Sequence, residues 1–269
     1  MTQSASVDAP RLHVDMAGTD SETGRKLVRQ TLDRVLGLDV DLTPFYRLTA
    51  REPRLDALAN RFRGMRPPRF PTVFEALVNG IACQQLSLEA GLSLLNRVAA
   101  AFGRPPPSLA EAGKAFPRAC DLVHASPESL QALGFSRSKG VAIIGIASAA
   151  ERGHIHLEEF VNFDDEVVQA KLDELRGVGR WTAEYVLLRG YGRLNVFPGD
   201  DIGARNSLQR WLGLRAPLDY ERTERILRRW QPYGGLVYLH LLLKYLDEKG
   251  LIASDSRHSR AAFVLADSI

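Results

Sequence analysis

The chain has 269 residues and a formal charge of +3, with 45% hydrophobic and 25% charged residues. This composition is ordinary for a globular protein and argues against a disordered chain, a collagen or a membrane protein. The small positive charge permits an anionic partner without identifying one. The two cysteines, Cys83 and Cys120, exclude a disulfide framework and a four-cysteine zinc or iron–sulfur site built from this chain alone.

Two features of the sequence bear on where the protein works. No apolar run reaches the roughly 18 residues that a membrane span needs. The first ten residues lack the charged and then apolar layout of a secretory signal. We therefore expect a cytoplasmic protein with reduced thiols and no membrane partner.

Residues 1–23 form a polar, turn-rich segment that differs from the rest of the chain. Within it, only Leu12–Met16 alternates as a β-strand does. A single strand has no partner in an otherwise helical sequence. The segment is therefore expected to be a tail, or the remnant of a β-rich domain.

Helical periodicity begins at Gly24, and no convincing strand follows. Residues 24–269 are predicted to form one all-α domain of about ten short helices. Ser87 is the expected N-cap of one of them. Beyond a first helix after residue 24, the predicted helices cover 55–62, 74–82, 86–102, 127–133, 137–152, 165–175, 180–189, 202–212, 219–229 and 235–248.

A Gly-Val-Gly turn joins two predicted helices in the segment 172–190. Gly177 and Gly179 can adopt a positive φ and bring the backbone close to a partner. The unpaired N–H groups at the start of the next helix favour a phosphate, and Arg176 and Arg180 flank the turn. The alternative, which the glycine spacing alone favours, is a tight helix–helix corner with a glycine cap.

Two adjacent acids, Asp200 and Asp201, stand at the start of the predicted helix 202–212. An aspartate in this position is normally an N-cap worth about 1 kcal/mol. The functional alternative is that one carboxylate faces a cleft and is held in its ionised form by the helix N-terminus. The residues by themselves leave both interpretations open.

In combination, these motifs resemble the helix-hairpin-helix DNA glycosylases, and in particular the DNA-3-methyladenine glycosylase II branch, which removes alkylated bases. The resemblance rests on the hairpin, the Trp-Thr-Ala sequence at 181–183 and the Pro-Gly-Asp-Asp loop at 198–201. Residues 74–87 are similar to the family's DNA-intercalating loop and its preceding helix, and residues 133–139 to its middle turn. The resemblance covers about residues 24–250 and implies two helical subdomains that flank a cleft.

The resemblance places the catalytic carboxylate at Asp201, twenty positions after Trp181. Such a carboxylate near C1′ stabilises the oxocarbenium-like sugar and orients or deprotonates the attacking water. Trp181 occupies the position at which backbone-cleaving relatives carry a nucleophilic lysine. A monofunctional glycosylase without lyase activity is therefore expected.

The same resemblance assigns a pocket for an extruded base. Trp181 and Tyr185 are four residues apart on one helix face. They are expected to stack an electron-deficient base, with a cation–π contribution. The alternative is that both are core aromatics.

A DNA-binding surface is implied as well. A side chain must fill the gap that a flipped base leaves, and the resemblance places this wedge at segment 84–86, just before the cap residue Ser87. Gln85 matches the inserting position best, and Leu86 is the neighbour most like a plug. The alternative for this segment is a polar turn between helices. The full set of expected DNA contacts is Gln84, Gln85, Leu86, Arg176, Gly177, Val178, Gly179, Arg180 and Thr182.

This chain departs from the family pattern at two positions. Arg176 replaces the usual proline before the hairpin glycine, and Leu242 stands where the best-known branch has a pocket tryptophan, which leaves the base preference open. The resemblance also implies a structural Na⁺ or K⁺ ion at the backbone carbonyls of Asp173, Leu175 and Val178. No other cofactor or metal is expected.

The sequence thus predicts a monomeric base excision repair enzyme of the cytoplasm, associated with the nucleoid if the source is bacterial. Its expected partner is double-stranded DNA that contains 3-methyladenine or 7-methylguanine. Four alternatives stay open: a non-catalytic hairpin module that binds DNA, a glycosylase for other damaged bases, a bifunctional glycosylase/lyase, and an unrelated helical enzyme or scaffold.

Overall fold

A computed structural model of the chain describes residues 2–3, 12–14, 21–105 and 113–252. These ranges contain thirteen α-helices, which confirms the predicted all-α fold. The helices are α1 Glu22–Leu36, α2 Thr43–Thr49, α3 Pro53–Arg61, α4 Val73–Cys83, α5 Leu88–Phe102, α6 Ala119–Leu122, α7 Pro127–Ala132, α8 Arg137–Glu151, α9 Asp165–Asp173, α10 Arg180–Val186, α11 Ile202–Leu212, α12 Tyr220–Leu227 and α13 Gly234–Glu248. Two 3-10 turns, Leu157–Asn162 and Arg228–Trp230, and one π-helical turn, Leu187–Tyr191, complete the helical part.

Local capping explains where many of these helices begin. The Ser87 hydroxyl accepts the Ala90 N–H at 3.2 Å, which confirms the predicted cap of α5. In α1, the Ser21 hydroxyl accepts the Gly24 N–H at 3.0 Å, so this helix begins two residues before the predicted boundary. The sequence missed α2 and α6, because seven and four residues are too short to show a helical period.

The N-terminal strand has a partner, so the prediction of a single strand was wrong. Strand β1, Thr2–Gln3, pairs antiparallel with β2, Leu12–His13. Two residues are too few for a strand pattern to be recognised in a sequence. The rest of the predicted strand, including Met16, lies outside the described residues, as do residues 253–269 of the predicted helical domain.

The buried side chains form two clusters. The first contains side chains from α4 to α10 and reaches from Val73 to Tyr191. The second combines α2 and α3 with α11 to α13. The two clusters meet at the end of α10, because Leu187 belongs to the first and Leu188 to the second. This division agrees with the predicted pair of helical subdomains.

Helix α4 is the centre of the first cluster and packs closely on α10. A Cβ at Gly80 would lie 3.0 Å from Thr182 Cγ2, and one at Gly190 would lie 3.2 Å from Ala76 Cβ. Because glycine has no Cβ, the two helices approach at these points. This contact sets the C-terminal end of α4 beside the turn that precedes α10.

Within the described ranges, no helix is both long and apolar enough to cross a membrane. Cys83 and Cys120 are both free thiols.

Candidate active site

The hairpin between α9 and α10 is a tight turn with two different glycines. The Val178 N–H donates to the Leu175 carbonyl at 3.0 Å. Gly177 has φ +83°, and a Cβ there would lie 2.6 Å from Ala142 Cβ on α8, so glycine is required. Gly179 has an ordinary extended backbone with φ −118° and open space around it. The predicted positive φ is therefore right for Gly177 and wrong for Gly179.

The outward face of the hairpin is built from backbone and arginine. Arg176, Gly177, Gly179 and Arg180 are exposed, whereas the Val178 side chain is buried in the first cluster. Gly179 is the N-cap of α10 and contributes no side-chain hydrogen bond. The first amides of α10 are therefore not capped by a side chain, as an anion site at a helix N-terminus requires.

Residues 84–86, all expected to contact DNA, divide into two groups. Gln84 Nε2 donates to the Gly177 carbonyl at 2.9 Å and to Thr182 Oγ1 at 2.8 Å. These bonds tie the loop to the hairpin through the half-buried Gln84 and the buried Thr182. Gln85 and Leu86 are exposed, and Gln85 has φ +56°, a backbone conformation that is uncommon outside glycine.

Lys139 on α8 also bonds to the backbone of the loop that carries Gln85 and Leu86. Its ammonium group donates to the carbonyls of Ala82 and Gln84 at 2.9 and 2.7 Å. These are carbonyls at the C-terminal end of α4, where a cation is favoured. Burial lowers the pKa of Lys139 from its usual value. The loop that presents Gln85 and Leu86 is thus fixed from the hairpin and from α8.

Asp201 is the N-cap of α11, which confirms the capping interpretation, and its second carboxylate oxygen accepts from side chains of two other helices. Its Oδ1 accepts the Ala204 N–H at 2.8 Å. Its Oδ2 accepts the Trp181 indole N–H and the Tyr238 hydroxyl, each at 3.3 Å. Three elements, α10, α11 and α13, therefore orient one carboxylate.

An aromatic wall stands beside this carboxylate. The Trp181 and Tyr185 rings are stacked, with centroids 5.5 Å apart and planes 22° apart. Both rings keep part of their surface exposed. The Tyr185 hydroxyl donates to Asn79 Oδ1 at 2.8 Å, and burial raises the pKa of Tyr185 to about 12. Burial, with Asp201 adding to it, raises the pKa of Tyr238 well above its usual value, so both tyrosines stay protonated.

The neighbouring acid, Asp200, is part of a charged group at the cleft edge. Its carboxylate lies 3.6 Å from the Arg180 guanidinium and 3.9 Å from that of Arg205. The Arg180 guanidinium also lies over the Tyr220 ring, 4.5 Å from its centroid. Arg180, expected to contact DNA, thus has protein partners of its own, while its side chain remains half exposed.

Sequence reasoning missed four residues of this arrangement: Asn79, Glu184, Tyr220 and Tyr238. Tyr238 is buried in the apolar helix α13, but its hydroxyl reaches Asp201. Glu184 did leave a signal, because it is the one acid in the apolar run 183–188. A charged residue on an otherwise buried helix face needs a partner or a function.

Other large aromatic and histidine side chains are buried in the core. Phe45 and Trp230 are fully buried in the second cluster. His240 is buried as well, and its Nδ1 lies 2.7 Å from the Leu236 carbonyl. In the part of the chain that the structure describes, no group of three His, Cys, Asp or Glu side chains could hold a metal ion.

Comparisons with known proteins point to the same elements. The model of the HhH-GPD superfamily of base excision DNA repair proteins matches residues 78–232, a range that includes the hairpin and Asp201. A DNA-3-methyladenine glycosylase of Bacillus subtilis is 33% identical over 73% of this chain and 66% of its own length. DNA-3-methyladenine glycosylase 2 of Escherichia coli is 32% identical over 66% of this chain and 60% of its own length.

A solved structure extends the likeness to the fold. A 3-methyladenine DNA glycosylase from Archaeoglobus fulgidus superposes with a TM-score of 0.77 and 29% identity, over 88% of this chain and 79% of that one. The chain thus spans about three-fifths to two-thirds of the length of the two curated relatives.

Proposed function

Because the chain belongs to the HhH-GPD superfamily of base excision DNA repair proteins, we propose that it is a monofunctional DNA glycosylase for alkylated purines. The substrate is duplex DNA with a base of the 3-methyladenine or 7-methylguanine type, and the reaction is hydrolysis of the N-glycosidic bond. The observation that carries this proposal is the Asp201 carboxylate, held by Trp181 and Tyr238 at the side of a stacked aromatic pair. The relatives named above support the choice of substrate.

Duplex DNA binds at the hairpin and is opened by the loop beside it. The backbone amides at Gly177, Gly179 and the start of α10 bind a phosphate, with Arg176 adding positive charge. Such contacts position the duplex and carry no sequence information. Leu86 and Gln85 are exposed next to the hairpin, and they fill the space that the extruded nucleotide leaves in the base stack.

The extruded base stacks against Trp181 and Tyr185. An alkylated ring nitrogen makes the purine cationic, and the faces of the indole and phenol rings attract a cation. The same positive charge makes the base a good leaving group, so the protein does not have to supply a strong acid. The hydrogen bond from Tyr185 to Asn79 fixes the orientation of the wall.

Asp201 acts at the sugar. The C1′–N bond breaks, the base leaves with the electron pair, and positive charge develops on C1′ and the ring oxygen. The carboxylate stabilises this charge: two unit charges about 4 Å apart interact by roughly 4 kcal/mol at an effective dielectric constant near 20. Water then attacks C1′ and gives up a proton, for which Asp201 is the acceptor.

The absence of lyase activity follows from the side chain at the head of α10. Trp181 has no nucleophilic amine, and the sequence has no lysine between Lys171 and Lys244. The guanidinium of Arg180 is a poor nucleophile. Water is thus the nucleophile, and the product is an abasic site in an intact strand.

We also propose that the hairpin holds a Na⁺ or K⁺ ion at the carbonyls of Asp173, Leu175 and Val178. The support for this proposal is the tight turn that carries these residues, closed by the Val178 N–H donating to the Leu175 carbonyl at 3.0 Å. The ion would supply positive charge at the phosphate site. The enzyme is proposed to act as a monomer on the DNA of the cytoplasm or nucleoid.

The test is an assay of free base released from a duplex containing 7-methylguanine or 3-methyladenine, beside an unmodified duplex of the same sequence. We expect the alkylated base to appear in solution, with no strand cleavage and no adduct trapped by borohydride. Binding without release from any alkylated duplex would identify a non-catalytic DNA-binding module. A trapped adduct would instead identify a glycosylase/lyase.

A further inference from the structure

Glu184 is a buried carboxylate close to the candidate site. The proposed reaction does not use it. It lies on α10, three residues after Trp181, and is 4% exposed. Its Oε2 accepts the Gly199 N–H at 2.8 Å, and its Oε1 accepts the Tyr220 hydroxyl at 2.7 Å. Burial of a carboxylate is costly unless such bonds replace water. The two hydrogen bonds therefore show that Glu184 holds the Gly199 amide and the Tyr220 hydroxyl in place.

Gly199 belongs to the loop that carries Asp201, and Tyr220 packs against that loop. Gly199 lies two residues before Asp201, and a Cβ there would lie 2.7 Å from Tyr220 Cε2, so the loop backbone rests on the Tyr220 ring. The Asp201 N–H donates to the Pro198 carbonyl at 3.0 Å and closes the turn. Glu184 thus fixes the backbone from which Asp201 projects.

Helix α10 contacts the 198–201 loop at two points, the Asp201 carboxylate and the Gly199 amide. Trp181 of α10 donates to the Asp201 carboxylate, while Glu184, one turn later, accepts from the loop backbone at Gly199. The ring of Tyr220 lies between Glu184 and the Arg180 guanidinium, which in turn faces Asp200. A displacement of about 1 Å at a catalytic group can cost roughly a hundredfold in rate, so this support bears directly on chemistry.

We propose that Glu184 is a positioning residue for base excision, which through the Gly199 amide and the Tyr220 hydroxyl fixes the 198–201 loop and so the direction of the Asp201 carboxylate. The inference rests on the proposed function and deepens it. Glu184 is buried behind the loop, away from the exposed face of the hairpin. Its contribution therefore lies in the rate of the chemical step and not in DNA affinity.

The charge on Glu184 matters less than its two hydrogen bonds. Tyr220 and Glu224 face it from α12, Asp200 faces it from the loop, and Arg180 lies one turn earlier on α10. Burial, with Asp200 and Glu224 adding to it, raises the pKa of Glu184 to about 7. An ionised Glu184 accepts from Tyr220, whereas a protonated one can donate to the same oxygen. Glutamine can keep both contacts in the second arrangement at every pH.

The experiment compares Glu184→Ala and Glu184→Gln with Leu122→Ala, a buried residue of α6 far from the loop. The readouts are the single-turnover rate of 7-methylguanine release, the Kd for an undamaged duplex, and the Tm. We expect Glu184→Ala to slow release by about a hundredfold with Kd within about twofold. The rate of Glu184→Gln should stay within about threefold of the wild-type rate. Any change of the wild-type rate with pH that has its midpoint near pH 7 should be absent in this variant.

Several results would overturn the inference. They are a wild-type rate in Glu184→Ala, an equal loss of rate in Leu122→Ala, a parallel loss of DNA affinity, and a Glu184→Gln variant as slow as Glu184→Ala. If Glu184→Ala does not fold, Tyr220→Phe removes one of the two bonds and keeps the ring, and it must slow release with Kd unchanged. Failure of the wild type to release any base would instead contradict the proposed function, so the two failures are distinguishable.

Discussion

Asp201 accepts hydrogen bonds from an α11 amide, the Trp181 indole and the Tyr238 hydroxyl. The cap bond uses Oδ1, and both side-chain donors are directed at Oδ2. This separation lets one oxygen anchor the helix while the other is held at the cleft. A carboxylate oriented in advance in this way requires no rearrangement when positive charge develops in the transition state.

The indole N–H of Trp181 can be removed without removing the wall. Trp181→Phe keeps an aromatic ring beside Tyr185 and loses the 3.3 Å bond to Asp201. We expect single-turnover base release to fall by about ten- to a hundredfold, because one hydrogen bond to a charged group is worth roughly 1.5–3 kcal/mol. Trp211→Phe is the matched control, since Trp211 packs on Trp230 in the second cluster. Equal rates in the two variants would remove Trp181 from the orientation of Asp201.

The sequence predicted residues that stand out in a motif and missed those that act across the fold. Asp201, Trp181 and Tyr185 lie within one motif, and the structure brings them together. Tyr238 looks like one more apolar residue of α13, and only tertiary packing brings it to Asp201. Gln84 and Gln85 are alike in sequence, and the backbone of the loop decides which one bonds to the hairpin.

The hairpin between α9 and α10 has glycine at two positions, Gly177 and Gly179, for different structural reasons. Gly177 is required inside the protein, by its positive φ and by the contact with Ala142. Gly179 meets neither condition, since its φ is extended and no atom lies near the position of a Cβ. The open space in front of Gly179 is where the proposed phosphate approaches the start of α10.

Gly179→Leu therefore tests the hairpin without disturbing the fold. We expect the Tm to stay near that of wild type, because the backbone and the surrounding space both admit a side chain. Affinity for duplex DNA should fall by about tenfold and equally for all sequences, as loss of a phosphate contact requires. The control is Gly145→Leu on α8, another exposed glycine with open space around it. Unchanged DNA binding by Gly179→Leu would exclude this turn from the phosphate site.

Over the whole molecule, the two hydrophobic clusters set the site at their junction. Trp181 lies on α10, the helix that ends between the two clusters. Asp201 caps α11 and Tyr238 lies on α13, and both of these helices belong to the second cluster. Periodicity and capping residues predicted the long helices of both clusters. The division of the core could not be predicted from them, because α2 and α3 pack with helices some 150 residues later in the chain.

A buried acid in α4 makes the stability of the molecule depend on pH. Burial raises the pKa of Glu75 to about 7, above the 4.5 expected of an unfolded chain. The folded state therefore binds the extra proton, and stability falls as the pH rises from about 4.5 to about 7. Glu75→Gln removes this loss, on the order of 2 kcal/mol after allowance for partial exposure. Its Tm should exceed that of wild type at pH 8 and approach it at pH 4; a constant difference at both pH values would contradict this.

The central claim, that the Asp201 carboxylate performs the chemistry, is tested most directly by the single-turnover rate of 7-methylguanine release from duplex DNA by Asp201→Asn. Asparagine caps a helix as well as aspartate does, so α11, the Tm and the affinity for undamaged duplex should be preserved. The negative charge is lost, and the introduced amide NH2 can donate to Tyr238 but cannot accept from the Trp181 indole. We expect the rate to fall by about a hundredfold or more. Release by Asp201→Asn at the wild-type rate would contradict the account.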